Sequence, residues 1–231
     1  MKRAYANAEA IGSPGGHSVA LDGKPLRTPG KRPLVVPTAA LAEAIAEEWN
    51  AQHQEVRPAT MPLMRLAATA LDRVAAEHDK IAAEVANYAG TDLVCYRADQ
   101  PPALASRQHA VWQPLIDWAM LRYDAPLVVT SGVIPAAQPN ASLRTFAAVV
   151  SEFDDFRLAG MQALTGACGS LIVALAVLEG RIGAEAAFAV SQLDESFQIE
   201  AWGEDEEAAE RRRALRADIA ATALFLALLR P

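Results

Sequence analysis

Residues 158–178 read LAGMQALTGACGSLIVALAVL, 21 consecutive positions without a charged side chain. A helix of about 20 apolar residues is long enough to cross a bilayer. Three glycines, Gln162 and Thr165 interrupt the stretch, it has no flanking aromatic belts, and the chain offers no second candidate span. We therefore expect one central helix that a bundle surrounds, with a membrane-associated helical subunit as the alternative. The glycines are then expected to allow close helix packing.

The composition outside this stretch favours a folded, helix-rich protein. Of the 231 residues, 52% are hydrophobic and 21% charged, which is more apolar surface than a disordered chain carries. Alanine is abundant and aromatic residues make up only 6%, a balance typical of closely packed helices. The net charge of −7 and the pI near 5.2 argue against a nucleic-acid partner, because phosphate contacts need clustered Lys and Arg.

The first 37 residues differ from the rest and predict short strands. Residues 17–21 are bounded by Asp22 and Gly23, residues 34–36 are bounded by prolines, and proline confines strands to sheet edges. We expect edge-like β-hairpins here. The predicted fold is therefore α+β, a small Pro-rich N-terminal β module followed by a mainly α-helical bundle.

Helical periodicity begins after Thr38, which is a plausible N-cap. Further helices are expected at about 62–76, 79–90 and 103–123, the last kinked at Pro114, and from Pro139 to the end. A strand is expected at 127–130. Because prolines and glycines crowd residues 124–138, we place a soft domain boundary there, between domains 1–125 and 139–231.

The search for catalytic motifs is negative. Gly23-Lys24 lacks the spacing of a phosphate loop, and Cys168 sits in a sequence like a nucleophile elbow that no strand precedes. The four histidines have no ligand spacing, and Cys95 and Cys168 lie too far apart to argue a disulfide framework. We expect no metal, no cofactor and no enzyme activity. The N-terminus lacks the continuous apolar run of an export signal, so we expect a cytoplasmic protein.

The segment from Leu193 to Glu210 combines acidic and aromatic residues. Between Asp194 and Glu210 there are eight acids and no base, with Phe197, Trp202 and Gly203 among them. An aromatic anchor beside carboxylates is typical of a protein-recognition surface. A solvated acidic helix is the plain alternative, and a small-molecule enzyme that uses Asp194, Glu195, Glu200 and Asp205 is another. The candidate partner-binding residues here are Asp194, Glu195, Glu200, Trp202, Glu204 and Asp205.

A basic cluster lies at the opposite end of the sequence, around the predicted hairpins. Its members are Lys24, Arg27, Lys31 and Arg32. Lys and Pro often protect edge strands, which is one explanation. A contact with an acidic patch, in this chain or in a partner, is the other.

Residues 19–29, VALDGKPLRTP, resemble the opening signature of the assembly chaperones for the ATP synthase alpha subunit. Later blocks similar to that family follow in order, namely Glu47-Glu48-Trp49, Met61-Pro62-Leu63, residues 91–97, Trp112-Gln113-Pro114-Leu115, and Leu193-Asp194-Glu195 to Trp202-Gly203. The similarity runs from about Gly16 to Leu228. Met64 and Ala68 depart from it, because the family usually has polar residues there, and Ala4-Tyr5-Ala6 lacks heavier aromatics.

The resemblance implies a chaperone that holds the free alpha subunit of the catalytic sector until the beta subunit takes over its interface. It implies that an acidic residue in the Asp194-Glu195 block is needed, and that Trp49 matches another required position, although a core aromatic on a helix face explains Trp49 as well. We add Trp49 and Arg27 to the candidate partner-binding residues. We expect a monomer in the bacterial cytoplasm, without stable membrane insertion, and the mitochondrial matrix as the less favoured location.

Overall fold

The computed structural model describes residues 2–132 and 136–230. The chain divides into two compact units, one formed by Met1–His78, Asp154–Gly160 and Leu224–Pro231, the other by Asp79–Phe153 and Met161–Ala223. The expected boundary at 124–138 lies within the second unit, and its residues 133–135 are outside the described part. As a statement about independently folding domains, that boundary remains a prediction.

A three-stranded antiparallel sheet begins the first unit. Its strands are β1 (Ala8–Ser13), β2 (Gly16–Leu21) and β3 (Lys24–Pro25), in the order β1-β2-β3, with Ala8 opposite Leu21. Asp22 and Gly23, both with positive φ, form the turn between β2 and β3, as two-residue hairpin loops require. The expected strand at 34–36 is wrong, because its backbone contacts are isolated: the Leu34 N–H donates to the Leu26 carbonyl, Val36 forms a single bridge with His17, and the flanking Pro33 and Pro37 lack N–H groups.

Two helices follow the sheet in the first unit. α1 (Ala39–Asn50) is capped by Thr38 as expected, since the Thr38 hydroxyl accepts from the Leu41 N–H at 3.2 Å. α2 (Pro62–Thr69) continues through a π-helical turn at Ala70–Val74 into α3 (Ala75–Asn87).

The second unit is mostly helical. β4 (Tyr96–Arg97) pairs in parallel with β5 (Thr130–Ser131), so the strand expected at 127–130 is wrong except at its last residue. The remaining helices are α4 (Pro102–Tyr123), α5 (Asn140–Ser151), α6 (Asp155–Cys168), α7 (Leu171–Leu178), α8 (Ala184–Ser191), α9 (Leu193–Trp202) and α10 (Glu206–Leu228), and residues 155–160 of α6 and 224–228 of α10 belong to the first unit. α4 continues through Pro114. With 64% helix and 10% strand, the predicted α+β class is confirmed.

The uncharged stretch at 158–178 forms two helices, so the single central helix is a wrong prediction. Gly169 takes φ +64°, which ends α6, and the Ser170 hydroxyl accepts from the Val173 N–H at 3.0 Å, which starts α7. All residues of α7 from Leu171 to Val177 are buried, as expected. In residues 2–132 and 136–230, we find no helix with the length and apolar character that crossing a membrane needs.

Gly160, at the start of the same stretch, allows a close approach as predicted. A Cβ at this position would lie 2.5 Å from the Leu226 Cδ2. A side chain at residue 160 would therefore force Leu226, in the same unit, to shift.

Candidate binding surfaces

The acidic segment forms α9 and the turn that leads into α10. α9 ends at Gly203, whose φ of +80° terminates the helix. Trp202, the last residue of α9, is 82% exposed. Its indole is therefore presented to solvent beside the carboxylates.

Asp194 anchors the start of α9 to α4. Its Oδ1 accepts from the Gln108 Nε2 at 2.8 Å, and the Gln108 Oε1 accepts from the Ala98 N–H at 2.7 Å. One turn further along α4, the buried Trp112 donates from Nε1 to the Val190 carbonyl at 3.0 Å. Asp194 is half-buried and its carboxylate is hydrogen-bonded to Gln108, so this residue positions α9.

Glu200 is paired with Arg107 of α4 through two hydrogen bonds, at 2.7 and 2.9 Å. The hydrogen bond from Arg107 is the main reason why the pKa of the Glu200 carboxyl is lowered, so Glu200 stays ionised. The Arg107 guanidinium also lies 5.3 Å from the centre of the Phe197 ring. Both partners are exposed, and a pair of this kind contributes little stability.

The carboxylates of the turn after α9 are engaged as well. Glu204 lies 3.1 Å from the Nε of Arg212, and the Asp205 Oδ1 accepts from the Ala208 N–H at 2.8 Å. Asp205 thereby caps α10. These two acids fix the corner between α9 and α10.

Glu195 differs from its neighbours. It is exposed and, among the described residues, its carboxylate makes no hydrogen bond or ion pair. Because Glu195 and Trp202 are seven positions apart, they lie on the same face of α9, about 10 Å apart along the helix axis. The structure thus leaves this carboxylate and this indole unoccupied on one helix face.

Trp49 and Arg27 lie in the first unit, where both line a groove of about 810 Å³. Trp49 is 9% exposed, and its ring meets that of Tyr5 edge-on at 5.6 Å. The Tyr5 hydroxyl donates to the Trp49 carbonyl at 2.6 Å. Trp49 is therefore a core residue that also forms part of a cavity wall, whereas Arg27 is exposed at the rim.

Sequence reasoning missed this groove. Its apolar lining includes Met61, Met64 and Ala68, at spacings of three and four residues, which place them on one face of a helix. That stripe was a usable signal in the sequence. Met64 and Ala68 are also the two positions where the chain departs from the pattern of the family it resembles.

Glu48 holds the wall of this groove in place. Its carboxylate accepts from the Leu63 N–H at 2.7 Å and from the Met64 N–H at 2.8 Å, at the start of α2. Burial raises the pKa of the Glu48 carboxyl. The Glu47-Glu48-Trp49 block therefore ties α2 to α1.

The described side chains with nucleophilic or metal-binding potential are not arranged for either role. In the part of the chain that the structure describes, no three His, Cys, Asp or Glu side chains could together hold a metal ion. Cys95 and Cys168 are buried, and burial raises the pKa of each thiol to about 12. Such thiols stay protonated and unreactive, and Cys168 is a core residue.

An exposed helix face with aromatic and acidic residues is typical of a surface that contacts other proteins. Comparison with known proteins agrees. The family model for the ATP12 chaperone protein matches residues 2–120. The mitochondrial protein atp12 of Schizosaccharomyces pombe is 24% identical over 204 residues, which cover 83% of this chain and 70% of that protein.

Two solved structures are also similar. Atp12 from Paracoccus denitrificans is 46% identical, with 99% of this chain and 98% of that chain covered and a TM-score of 0.95. The Atu1473 protein of Agrobacterium tumefaciens is 39% identical, with 99% and 86% covered and a TM-score of 0.95. The chain belongs to the ATP12 chaperone family, and the resemblance to the ATP synthase assembly chaperones is confirmed.

Proposed function

We propose that this protein binds the free alpha subunit of the F-type ATP synthase catalytic sector and covers its interface until the beta subunit replaces it. An interface that is buried after assembly exposes a large apolar patch before assembly, and such patches aggregate. A temporary cover prevents this. The proposal includes no catalytic activity and no cofactor in this chain.

The observation that carries the proposal is the pairing of Trp202 with Glu195 on one face of α9. Trp202 is 82% exposed, so its indole is available for contact with a partner. Tryptophan is among the residues that most often dominate binding energy at interfaces. The neighbouring carboxylate adds charge selectivity, so the face suits a partner surface with an apolar pocket and a nearby base.

The engaged acids give this face a fixed shape. Asp194 ties the start of α9 to α4 and Asp205 caps α10, so Glu195 and Trp202 are presented on a helix that is already ordered. Pre-ordering lowers the entropy cost of binding. The net charge of −7 adds long-range steering toward a basic partner surface, which speeds encounter without making the complex permanent.

The proposal is tested with Trp202→Ala and Glu195→Lys. Both residues are exposed, so we expect melting temperatures close to that of the wild type. Loss of the tryptophan should weaken binding of the free alpha subunit by about 2 kcal/mol or more, as at an interface anchor. Charge reversal at Glu195 should weaken it by about 1 kcal/mol or more, and the loss should shrink at high salt.

Two control variants match these changes. Leu121→Ala removes another large apolar side chain, which is 81% exposed on α4, and Glu84→Lys reverses an exposed charge on α3. Both should bind the alpha subunit like the wild type. If Trp202→Ala and Glu195→Lys bind as well as these controls, the docking face is not on α9.

A further inference from the structure

The groove of the first unit has properties that the proposed function does not use. We propose that it is a second docking site, which takes a peptide segment of the partner protein that carries apolar side chains flanked by Asp or Glu. This inference rests on the proposed function for the identity of the partner, and on the groove alone for the chemistry of the segment.

The floor of the groove is apolar and adaptable. Trp49, Met61 and Met64 line it, and each is no more than 9% exposed. Methionine side chains are flexible and polarisable, so they adjust to apolar groups of different shape. A volume of about 810 Å³ accommodates several side chains of a peptide.

The rim of the groove is basic. Three exposed arginines line it, Arg27, Arg65 and Arg73, with one acid, Asp72, among the lining residues, and Arg65 also interacts with the Glu48 carboxylate. The Asp72 carboxylate is engaged, because it accepts from the Thr28 hydroxyl at 2.6 Å and from the Gly30 N–H at 2.8 Å.

This rim stands out in a chain whose net charge is −7. Exposed guanidinium groups around an apolar floor complement carboxylates on either side of apolar residues, the pattern by which amphipathic segments occupy grooves. The groove therefore favours a peptide segment whose apolar residues are flanked by acidic ones. The acidic α9 face of the second unit favours a basic partner surface.

The chemistry is tested with three synthetic peptides of 15 residues that share the same Leu and Met positions and carry Glu, Gln or Lys at the others. Binding to the full chain is measured by fluorescence anisotropy. We expect the Glu peptide to bind about ten-fold more tightly than the Gln peptide, and the Lys peptide to bind most weakly. Equal binding of the three peptides would contradict the proposal.

The site is tested with the double variant Arg27→Glu/Arg73→Glu, which reverses two rim charges and leaves the floor intact. The preference for the Glu peptide should disappear. Lys24→Glu reverses a charge in the same unit, on β3 and away from the groove, and should keep the preference. A double variant that still prefers the Glu peptide would place its binding elsewhere and overturn the inference.

The free alpha subunit is then titrated against the same variants. We expect the double variant to bind it about ten-fold more weakly than the wild type, with Lys24→Glu unchanged. Normal binding by the double variant would refute the groove as a docking site. No binding of the wild-type chain to the alpha subunit would refute the proposed function instead, and the peptide result would then stand by itself.

Discussion

Asp92 illustrates how much one side chain determines in this fold. It is fully buried, and its carboxylate accepts from the Ser170 hydroxyl at 2.6 Å, the Ile172 N–H at 3.0 Å and the Val94 N–H at 3.2 Å. It therefore joins the start of α7 to the short helix at Leu93–Cys95. Asp92 belongs to the 91–97 block of the sequence, so that block forms part of the core of the second unit.

The same residue predicts a pH dependence of stability. Burial raises the pKa of the Asp92 carboxyl from its ordinary 3.8 to about 6, although the hydrogen bonds act in the opposite direction. Because the pKa is raised in the folded state, the stability that this group contributes is complete below its ordinary pKa and is lost as the pH rises to about 6.

The variant Asp92→Asn removes this titration. We expect the difference in free energy of unfolding, wild type minus variant, to decrease between pH 4 and pH 6 and to be constant above that range. Urea denaturation at several pH values measures it. A difference that increases with pH would mean that the hydrogen bonds outweigh burial and that the pKa is lowered.

At the scale of elements, the break between α6 and α7 has a defined cause and a testable cost. Gly169 has φ +64°, and a Cβ there would lie 4.0 Å from the nearest atom that it faces, the Leu93 Cβ, so the space is open and only the backbone conformation is costly. We expect Gly169→Ala to lower the free energy of unfolding by about 1–2 kcal/mol.

Gly166→Ala is the matched control. Gly166 lies inside α6 without a positive φ, and a Cβ there would lie 4.0 Å from its nearest contact, the Tyr88 hydroxyl. Alanine there should be neutral or should stabilise the protein by about 0.5–1 kcal/mol. Chemical denaturation of both variants gives the comparison. Equal effects at the two positions would argue against the conformational explanation of the break.

Elements with local signals could be predicted from the sequence, and elements that depend on distant partners could not. The Thr38 cap, β2 and the burial of α7 follow from residue types and their periodicity. β1 has only Ile11 as a strong strand former and exists because it pairs with β2. The break at Gly169 was missed because hydropathy does not report on caps, although the Gly-Ser pair was visible.

The α9 face also combines features that the sequence predicts with features that depend on distant residues. Its acids and Trp202 were recognisable from composition. Which acids are engaged depends on Gln108 and Arg107, which lie 86 and 93 positions from their partners in the sequence. No local pattern reveals pairs at that separation, so only the structure separates Glu195 from its neighbours.

At the scale of the whole molecule, the two proposed binding surfaces have opposite charge, and one lies on each compact unit. The α9 face is acidic and has an exposed indole, whereas the groove is basic and has an apolar floor. We therefore expect a partner that offers a basic surface to the α9 face and a segment with apolar and acidic residues to the groove. A chaperone that must later be displaced benefits from several moderate contacts, because each can be lost in turn to the final partner.

The central claim is selective binding of the free alpha subunit, and the direct measurement is a titration of separately purified alpha and beta subunits against this protein. We expect the alpha subunit to bind and the beta subunit not to bind, with no effect of a metal chelator on the chaperone. Addition of the beta subunit should release the bound alpha subunit. Equal binding of the two subunits, or binding that the chelator abolishes, would contradict the account.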